Sequence, residues 1–456
     1  MKKNDYIYGR CIDYTHDAQG IVKIDGFPVF VKNMLVEEEG KIKIIKVLKN
    51  YAVGRLIDLE KRSPYREEAR CPLFKQCGGC HIQHLSQEGQ QQFKTQRVKE
   101  TMQKIGHCDV EVFPCLMMEN PWFYRNKVQV PVGLQNDSLI TGFYKQHSND
   151  IVPMTVCYIQ NEQSNLLVNR TRELLEKFHE EAYDKMTHQG NIKHILVKEG
   201  HITKELMLVI ITYKKKIKKV NEIVSILKEE FPSLKTVIQN MNSRHDNVIL
   251  GDEVKILDGP GYIEDMLLGN KYRISAKSFY QINPIQVERL YQKAIDYADL
   301  KKTDIVIDAY CGIGTISLSM ARYVKQVYGV EIVEQAINDA RENAKRNHID
   351  NVEFTCQDAG EFMLCLAKQG KHIDIVIVDP PRKGCSITFL DQLIVLSPKK
   401  IVYISCDVAT QARDIAYLQE HGYHADICQP VDMFPQSHHI ENIVRLSYRK
   451  KLIKST

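Results

Sequence analysis

The chain has 456 residues, 43% hydrophobic and 26% charged, with a formal net charge of +5. That length suits two to four domains, and the composition excludes a disordered, collagen-like or coiled-coil chain. The longest apolar run, Leu206–Ile211, falls far short of the roughly 20 residues a bilayer span needs, and Met1–Tyr6 lacks the apolar region of a signal peptide, so a soluble, cytoplasmic protein with no membrane partner is expected.

Residues 1–58 read as short strands, Tyr6–Tyr14, Gly20–Val31 and Gly40–Val53, with turns at Gly26 and Gly40. Lys41, Lys43 and Lys46 interleave with Ile42, Ile44 and Ile45, close to a period of two with a basic face. A small β-barrel of the kind that binds oligonucleotides is expected. Residues 1–130 carry 21 Lys and Arg against 16 Asp and Glu, whereas 131–456 carry 41 of each. All the positive excess is N-terminal, which suits a polyanion handled by the first part of the chain.

Residues 59–82 are dense in charge, Pro and Cys and read as a loop held by something other than a core. The chain has 13 cysteines, too few for a disulfide scaffold. Cys71, Cys77 and Cys80, spaced Cys-x5-Cys-x2-Cys, suit an iron–sulfur cluster, or a tetrahedral zinc site as the alternative. Either needs a fourth ligand, for which Cys108, Cys115 and Cys157 are available. Residues 84–105 predict a polar helix stopped by Gly106. The stretch 110–270 mixes strands and helices, and the runs at 195–198, 205–212 and 235–240 predict a sheet.

From 283 the rhythm changes. Asn283-Pro284 opens a helix with Pro at its first position. Strands are predicted at Asp304–Asp308, Gln326–Glu331, Val352–Gln357, Ile373–Asp379, Lys400–Ser405, Tyr423–Pro430 and Asn442–Tyr448, with helices in most gaps. This alternation predicts an α/β fold with a parallel, doubly wound sheet and an antiparallel edge.

Four motifs sit at strand ends. Asp308-Ala-Tyr-Cys-Gly-Ile-Gly-Thr315 places Gly312 and Gly314 where backbone can approach a ligand, and Glu331, at the end of the next strand, can accept from both hydroxyls of a ribose. The pair suits S-adenosylmethionine. Asp358 either contacts an adenine amino group or caps a helix. Asp379-Pro-Pro-Arg382 forms a stiff loop. Its Arg382, where adenine and cytosine amino-methyltransferases tend to carry an aromatic residue, can donate to a carbonyl or phosphate, which suits a uracil-like target. Cys406 ends the fifth strand at a helix N-terminus, where the dipole and free N–H groups favour a thiolate. C5 of uracil becomes nucleophilic only after a thiolate adds at C6, and a base must then remove the C5 proton. Glu441 is the candidate base, with His438 and His439 as alternatives.

These motifs, with Phe279-Tyr-Gln-Ile-Asn283 and Phe434–Glu441, resemble the RNA (uracil-5-)-methyltransferase family. The resemblance implies Cys406 as nucleophile, Glu441 as base, and Gln281, Tyr310, Glu331 and Asp379 as contacts to S-adenosylmethionine. Asp407-Val408 departs from the Asn-Pro found in many relatives but keeps the nucleophile. The ribosomal-RNA branch carries the cysteine spacing and a distant cysteine matching Cys157, which implies a [4Fe–4S] cluster on Cys71, Cys77, Cys80 and Cys157. The N-terminal barrel resembles a TRAM domain. Together these imply three parts: a TRAM-like barrel (1–60), a central iron–sulfur α+β domain (61–270), with helix 84–105 packed on the catalytic part, and a Rossmann-like class I methyltransferase domain (271–456). The implied activity is 5-methyluridine formation in 23S ribosomal RNA, at uracil 1939, with no obligate protein partner. The rivals are tRNA uridine-54 methylation, against which the barrel argues, and a non-enzymatic iron–sulfur RNA-binding protein.

Overall fold

The computed structural model describes residues 1–146 and 148–449; residues 450–456 of the expected C-terminal domain lie outside it. Strands β1 (Tyr6–Tyr14), β2 (Gly20–Ile24), β3 (Phe27–Lys32), β4 (Glu39–Val47) and β5 (Ala52–Lys61) form a closed barrel in the order β1-β2-β3-β5-β4. The run Gly20–Val31 folds as a hairpin that turns at Gly26, as the sequence predicts. Asp25 and Gly26 both have positive φ (51° and 81°), as a two-residue hairpin turn of matching twist requires. Gly40 is not a turn. It lies inside β4, where a Cβ would stand 2.2 Å from the Asp58 carbonyl oxygen of β5. Ile42 and Ile44 point into the barrel while Lys41 and Lys43 face outward beside Tyr6. A bulge after Ile44 breaks the period of two.

Helix α1 (Gln87–Lys104) is capped by Ser86, whose Oγ accepts the Gly89 N–H. Its Val98 and Met102 join the core of the C-terminal unit.

The central unit has β6 (Lys127–Gln135), β7 (Ser138–Tyr144), β8 (Ile151–Pro153), α2 (Glu162–Lys177), β9 (Ile192–Glu199), β10 (Leu206–Thr212), α3 (Val220–Glu230), β11 (Leu234–Met241) and β12 (Glu253–Asp258). The strands form one sheet in the order β12-β11-β10-β9-β6-β7-β8. Both helices cover one face. The other face, through Leu196, Met207, Val209 and Ile238, packs on a hairpin of β13 (Tyr262–Leu267) and β14 (Asn270–Ser275) and on the core of the C-terminal unit. Burial on both faces explains why β10 is apolar from Leu206 to Ile211.

The C-terminal unit runs α4 (Pro284–Ala298), β15 (Ile305–Ala309), α5 (Thr315–Ala321), β16 (Gln326–Glu331), α6 (Glu334–Arg346), β17 (Val352–Cys356), α7 (Ala359–Lys368), β18 (Ile375–Val378), α8 (Ile387–Leu396), β19 (Lys400–Ser405), α9 (Val408–Glu420), β20 (Tyr423–Val431) and β21 (Glu441–Tyr448). The sheet order is β17-β16-β15-β18-β19-β21-β20, with only β21 antiparallel to its two neighbours. This is the class I methyltransferase arrangement. Asn283 caps α4 as its sequence predicts, accepting the Gln286 N–H at 3.1 Å. No helix among the described residues is long and apolar enough to cross a membrane.

Candidate active site

In an open parallel sheet, ligands bind beyond the carboxyl ends of the strands. There lies a cavity of about 1160 Å³, lined by Gln281, Tyr310, Gly312, Glu331, Asp358, Asp379, Arg382, Cys406 and Glu441. The structure thus brings these nine residues to one cavity, with His439 beside them, while Gly314 and His438 do not line it.

The floor after β15 is built from left-handed backbone: Tyr310 (φ 67°), Gly312 (φ 54°) and Gly314 (φ 82°). A Cβ on Gly314 would stand 2.7 Å from the Phe354 ring, so a glycine is required there. The Tyr310 ring packs 5.4 Å from that of Phe389. Glu331 Oε2 accepts the Gly312 N–H at 3.3 Å, and Oε1 accepts those of Ile332 and Val333 at 2.9 and 3.0 Å. The carboxylate is therefore locked at the cavity edge. Asp358 caps α7, accepting from Gly360 and Glu361, and also lines the cavity.

Cys406 and Glu441 meet through strand register. Ser405, the last residue of β19, pairs with Asn442 of β21. The residue that follows the first and the one that precedes the second therefore share a rim. Burial pushes the Cys406 thiol up to about 11, and Glu441 and Asp379 push the same way, while Arg382 opposes them by charge and hydrogen bond. This corrects the expectation of a thiolate favoured by a helix N-terminus. Asp407 is the N-cap of α9, and its carboxylate takes the Ala409 and Thr410 N–H groups at 3.0 Å. Among the side chains, Arg382 is the counterweight. Burial raises Glu441 well above the usual carboxyl range, and the Asp379 charge adds to it. Asp379 itself rises to about 7 through burial. His438 and His439 are pushed down to about 3 and about 4 by burial first and then by the charge of His81 and other nearby cations, which makes them weak bases.

Several further lining residues carry no signal in the sequence. Gly78, Gly79, His81 and Arg125 reach the cavity from the cysteine-bearing segment and its neighbour. The His81 and Ile82 N–H groups donate to the Gln436 carbonyl at 2.9 and 3.2 Å, which ties that segment to the loop carrying Glu441. Lys198, buried in β9, donates to the Ser275 and Ser278 carbonyls at 2.8 and 2.9 Å and so holds the segment leading to Gln281. Asp308 lies beneath the glycine turn, raised by burial to about 7, with Ser317 Oγ donating to one oxygen and the other lacking a partner.

The Cys80 thiol, pushed up to about 12 by burial, feels the charges of Cys157, Cys77 and Cys71. Cys80 and Cys157 share an apolar pocket with Trp122, Tyr124 and Phe143. Cys108 lies instead in the core under α1, and Cys115 is buried beside Asp432. Among the described residues no three His, Cys, Asp or Glu side chains converge as ligands of one metal ion. Burial raises the Cys77, Cys80 and Cys157 thiols, and cysteine sulfur is the ligand type of an iron–sulfur centre, whose ligands bind different irons.

A family described as tRNA (uracil-5-)-methyltransferase matches residues 86–449. An uncharacterized RNA methyltransferase of Bacillus cereus is 46% identical over 452 residues, covering 99% of this chain and 98% of that one. One of Listeria monocytogenes is 48% identical over 446 residues, covering 98% of each. The crystal structure of the Pyrococcus abyssi tRNA (uracil-54, C5)-methyltransferase with S-adenosyl-L-homocysteine is 25% identical, has a TM-score of 0.77, and covers 96% of this chain and all of that one. With the cavity at the class I ligand edge, these likenesses make the chain a member of the S-adenosylmethionine-dependent RNA (uracil-5-)-methyltransferase family.

Proposed function

We propose that the protein methylates C5 of a uridine in 23S ribosomal RNA, at uracil 1939, with Cys406 as nucleophile and Glu441 as base. The reading rests on one observation: a thiol and a buried carboxyl, joined by the Ser405–Asn442 pairing, face the same cavity. The Cys406 thiolate adds to C6 of the flipped base, and the electron pair moves to C5 and the C4 carbonyl. C5 then takes the methyl from the sulfonium, releasing S-adenosylhomocysteine. Glu441 removes the C5 proton, the C5–C6 double bond re-forms and the thiolate leaves. Arg382 balances the charge that Cys406 and Glu441 bring to one buried rim. Gln281, Tyr310, Gly312, Glu331, Asp358 and Asp379 hold S-adenosylmethionine. Leaving the stack costs the uridine a few kcal/mol, less in an RNA loop than in a helix.

Cys71, Cys77, Cys80 and Cys157 are proposed to hold a [4Fe–4S] cluster. When bound it supplies a cross-link and positive charge among the four sulfurs. The barrel, TRAM-like in this reading, grips RNA through its outward Lys41 and Lys43 beside Tyr6.

The choice of ribosomal RNA follows from the barrel and cysteine cluster together. A second reading, methylation of tRNA uridine 54, is favoured by the likeness to the P. abyssi enzyme, which extends over 96% of this chain and so deprives the barrel of weight against tRNA.

The test of the chemistry uses labelled S-adenosylmethionine with 23S rRNA and tRNA transcripts. Cys406→Ala should abolish 5-methyluridine, and Glu441→Gln should accumulate a covalent RNA adduct seen as a gel shift. Retained product in the first, or full turnover without adduct in the second, would refute the roles. Mapping 5-methyluridine in 23S rRNA and tRNA from cells with and without the protein decides the substrate.

A further inference from the structure

Outside the catalytic cavity, the central sheet carries four clustered rings where β9 begins and β10 and β11 finish. The Tyr183 and Tyr213 centroids are 4.8 Å apart, and those of His188 and His245 are 4.1 Å apart. The Tyr183 hydroxyl bonds Nδ1 of His188 at 2.8 Å and of His245 at 3.3 Å, joining the two pairs into one platform. Lys193 braces it from below: its Nζ sits 4.6 Å from the Tyr183 centroid and donates to the Asn242 and Arg244 carbonyls at 3.0 and 2.8 Å. Both histidines are exposed, as are Lys185, Lys214 and Lys216 on the rim. Two other cations nearby are paired, Arg244 with Asp246 and Lys215 with Glu253. The four rings lie apart from the core beneath the sheet.

The platform is continuous with the catalytic mouth. Lys185 Nζ lies 5.8 Å over the Tyr144 ring, and the Tyr144 carbonyl accepts the Gly78 N–H at 3.1 Å. Gly78 and Gly79 line both the catalytic cavity and a shallow depression of about 570 Å³ shared with Tyr144 and Lys145. A strand leaving the cavity past these glycines meets Tyr144, then Lys185, then the rings.

Two exposed histidine rings and two half-buried tyrosine rings edged by lysines fit an unpaired nucleic acid strand, whose bases stack on π-faces while phosphates take the cations. An acidic peptide would use the lysines but leave the rings idle. We propose that Tyr183, His188, Tyr213 and His245, with Lys185, Lys214 and Lys216, bind single-stranded RNA flanking the target uridine. This rests on the reading that the substrate is RNA.

The test measures binding of the intact protein to a labelled uridine-rich single-stranded oligoribonucleotide and to a 23S rRNA transcript, across a salt series. K185E/K214E should raise Kd about tenfold or more at low salt and flatten the slope of log Kd against log salt by about one for each phosphate that is no longer neutralised. H188A/H245A should raise Kd about fivefold or more with the slope unchanged, because stacking carries no counterion release. K301E, an exposed charge at the opposite end of β15, controls for net charge and should bind as wild type. All variants should keep the wild-type melting curve. Rate constants at saturating RNA should stay within about twofold. Wild-type affinity in both double variants, or no binding of either RNA by the wild type, overturns the proposal. If the wild type methylates no RNA while these affinities still change as stated, the catalytic reading fails and the RNA surface stands.

Discussion

Lys94 Nζ lies 2.5 Å from Asp432 Oδ1, and both side chains are shut off from solvent. This pair is the middle rung of a polar stripe on α1. One turn earlier, Gln90 Nε2 donates to Gln436 Oε1 at 3.0 Å; one turn later, Arg97 donates to the His438 carbonyl at 2.7 Å. Three residues at i, i+4 and i+7 thus hold the loop between Val431 and Glu441 from one helix face. Lys94→Met would leave a buried carboxyl with neither oxygen paired, since Oδ2 already lacks a partner. The expected loss is about 3–5 kcal/mol in guanidinium unfolding. It should grow as pH rises, because the unpaired Asp432 must hold a proton in the folded state only. The double variant Lys94→Met/Asp432→Leu should recover much of the loss. Equal stability of wild type and Lys94→Met would show that the pair is solvated in solution.

That stripe also shows what is legible in the sequence and what is not. The polarity of 87–104 is readable, but not that Gln90 and Lys94 face inward, since Gln436 and Asp432, which lie about 340 residues away, are among their partners. Strands buried on both faces, such as Gln326–Glu331 and Lys400–Ser405, have the bounds their apolar runs predict. The β13–β14 hairpin escapes such a reading, because Glu264, Asp265 and Arg273 interrupt it with charges that find tertiary partners, among them Arg346 for Glu264. Cys406 and Glu441 can be chosen from their chemistry. Their electrostatics cannot, because Asp407 takes the helix N–H groups and the Arg382 guanidinium arrives from another strand.

Glu331 should be the main handle on S-adenosylmethionine affinity. Its carboxylate is oriented by three backbone N–H groups, so little order remains to be imposed when ribose hydroxyls bind it. Hydrogen bonds to a charged group are worth about 1.5–3 kcal/mol. Glu331→Ala should therefore weaken S-adenosylhomocysteine binding by roughly ten- to a hundredfold in calorimetry, with Glu331→Gln intermediate. Cys406→Ala should bind it like wild type. Undiminished affinity in Glu331→Ala would place the ribose elsewhere.

The cysteine assignment predicts a selective loss. Protein purified without oxygen should carry iron and acid-labile sulfide, and Cys157→Ser should lose most of both. Cys108→Ser and Cys115→Ser should keep them, because those thiols sit in a packed core and beside Asp432, away from the other four. Iron retained in Cys157→Ser but lost in Cys115→Ser would reverse the choice of fourth ligand.

Arg382 should set the pH at which the reaction runs. The thiol of Cys406 stands at about 11 although Arg382 already pulls it down. The reactive species is the thiolate, so below that value the rate of adduct formation rises with pH, about tenfold per unit. Removing the guanidinium in Arg382→Gln raises Cys406 further. It also raises Glu441, which Arg382 lowers, so that the base holds its proton to higher pH. Both changes act in one direction: the ascending limb of the single-turnover rate should move to higher pH. For a shift of about one unit the rate at neutral pH falls on the order of tenfold and is regained as pH rises. Arg382→Lys keeps the charge and should restore most of the original profile. If Arg382→Gln instead gives a profile of unchanged shape at uniformly lower rate, the guanidinium serves to hold RNA, and some other group must offset the charge gathered around the sulfur.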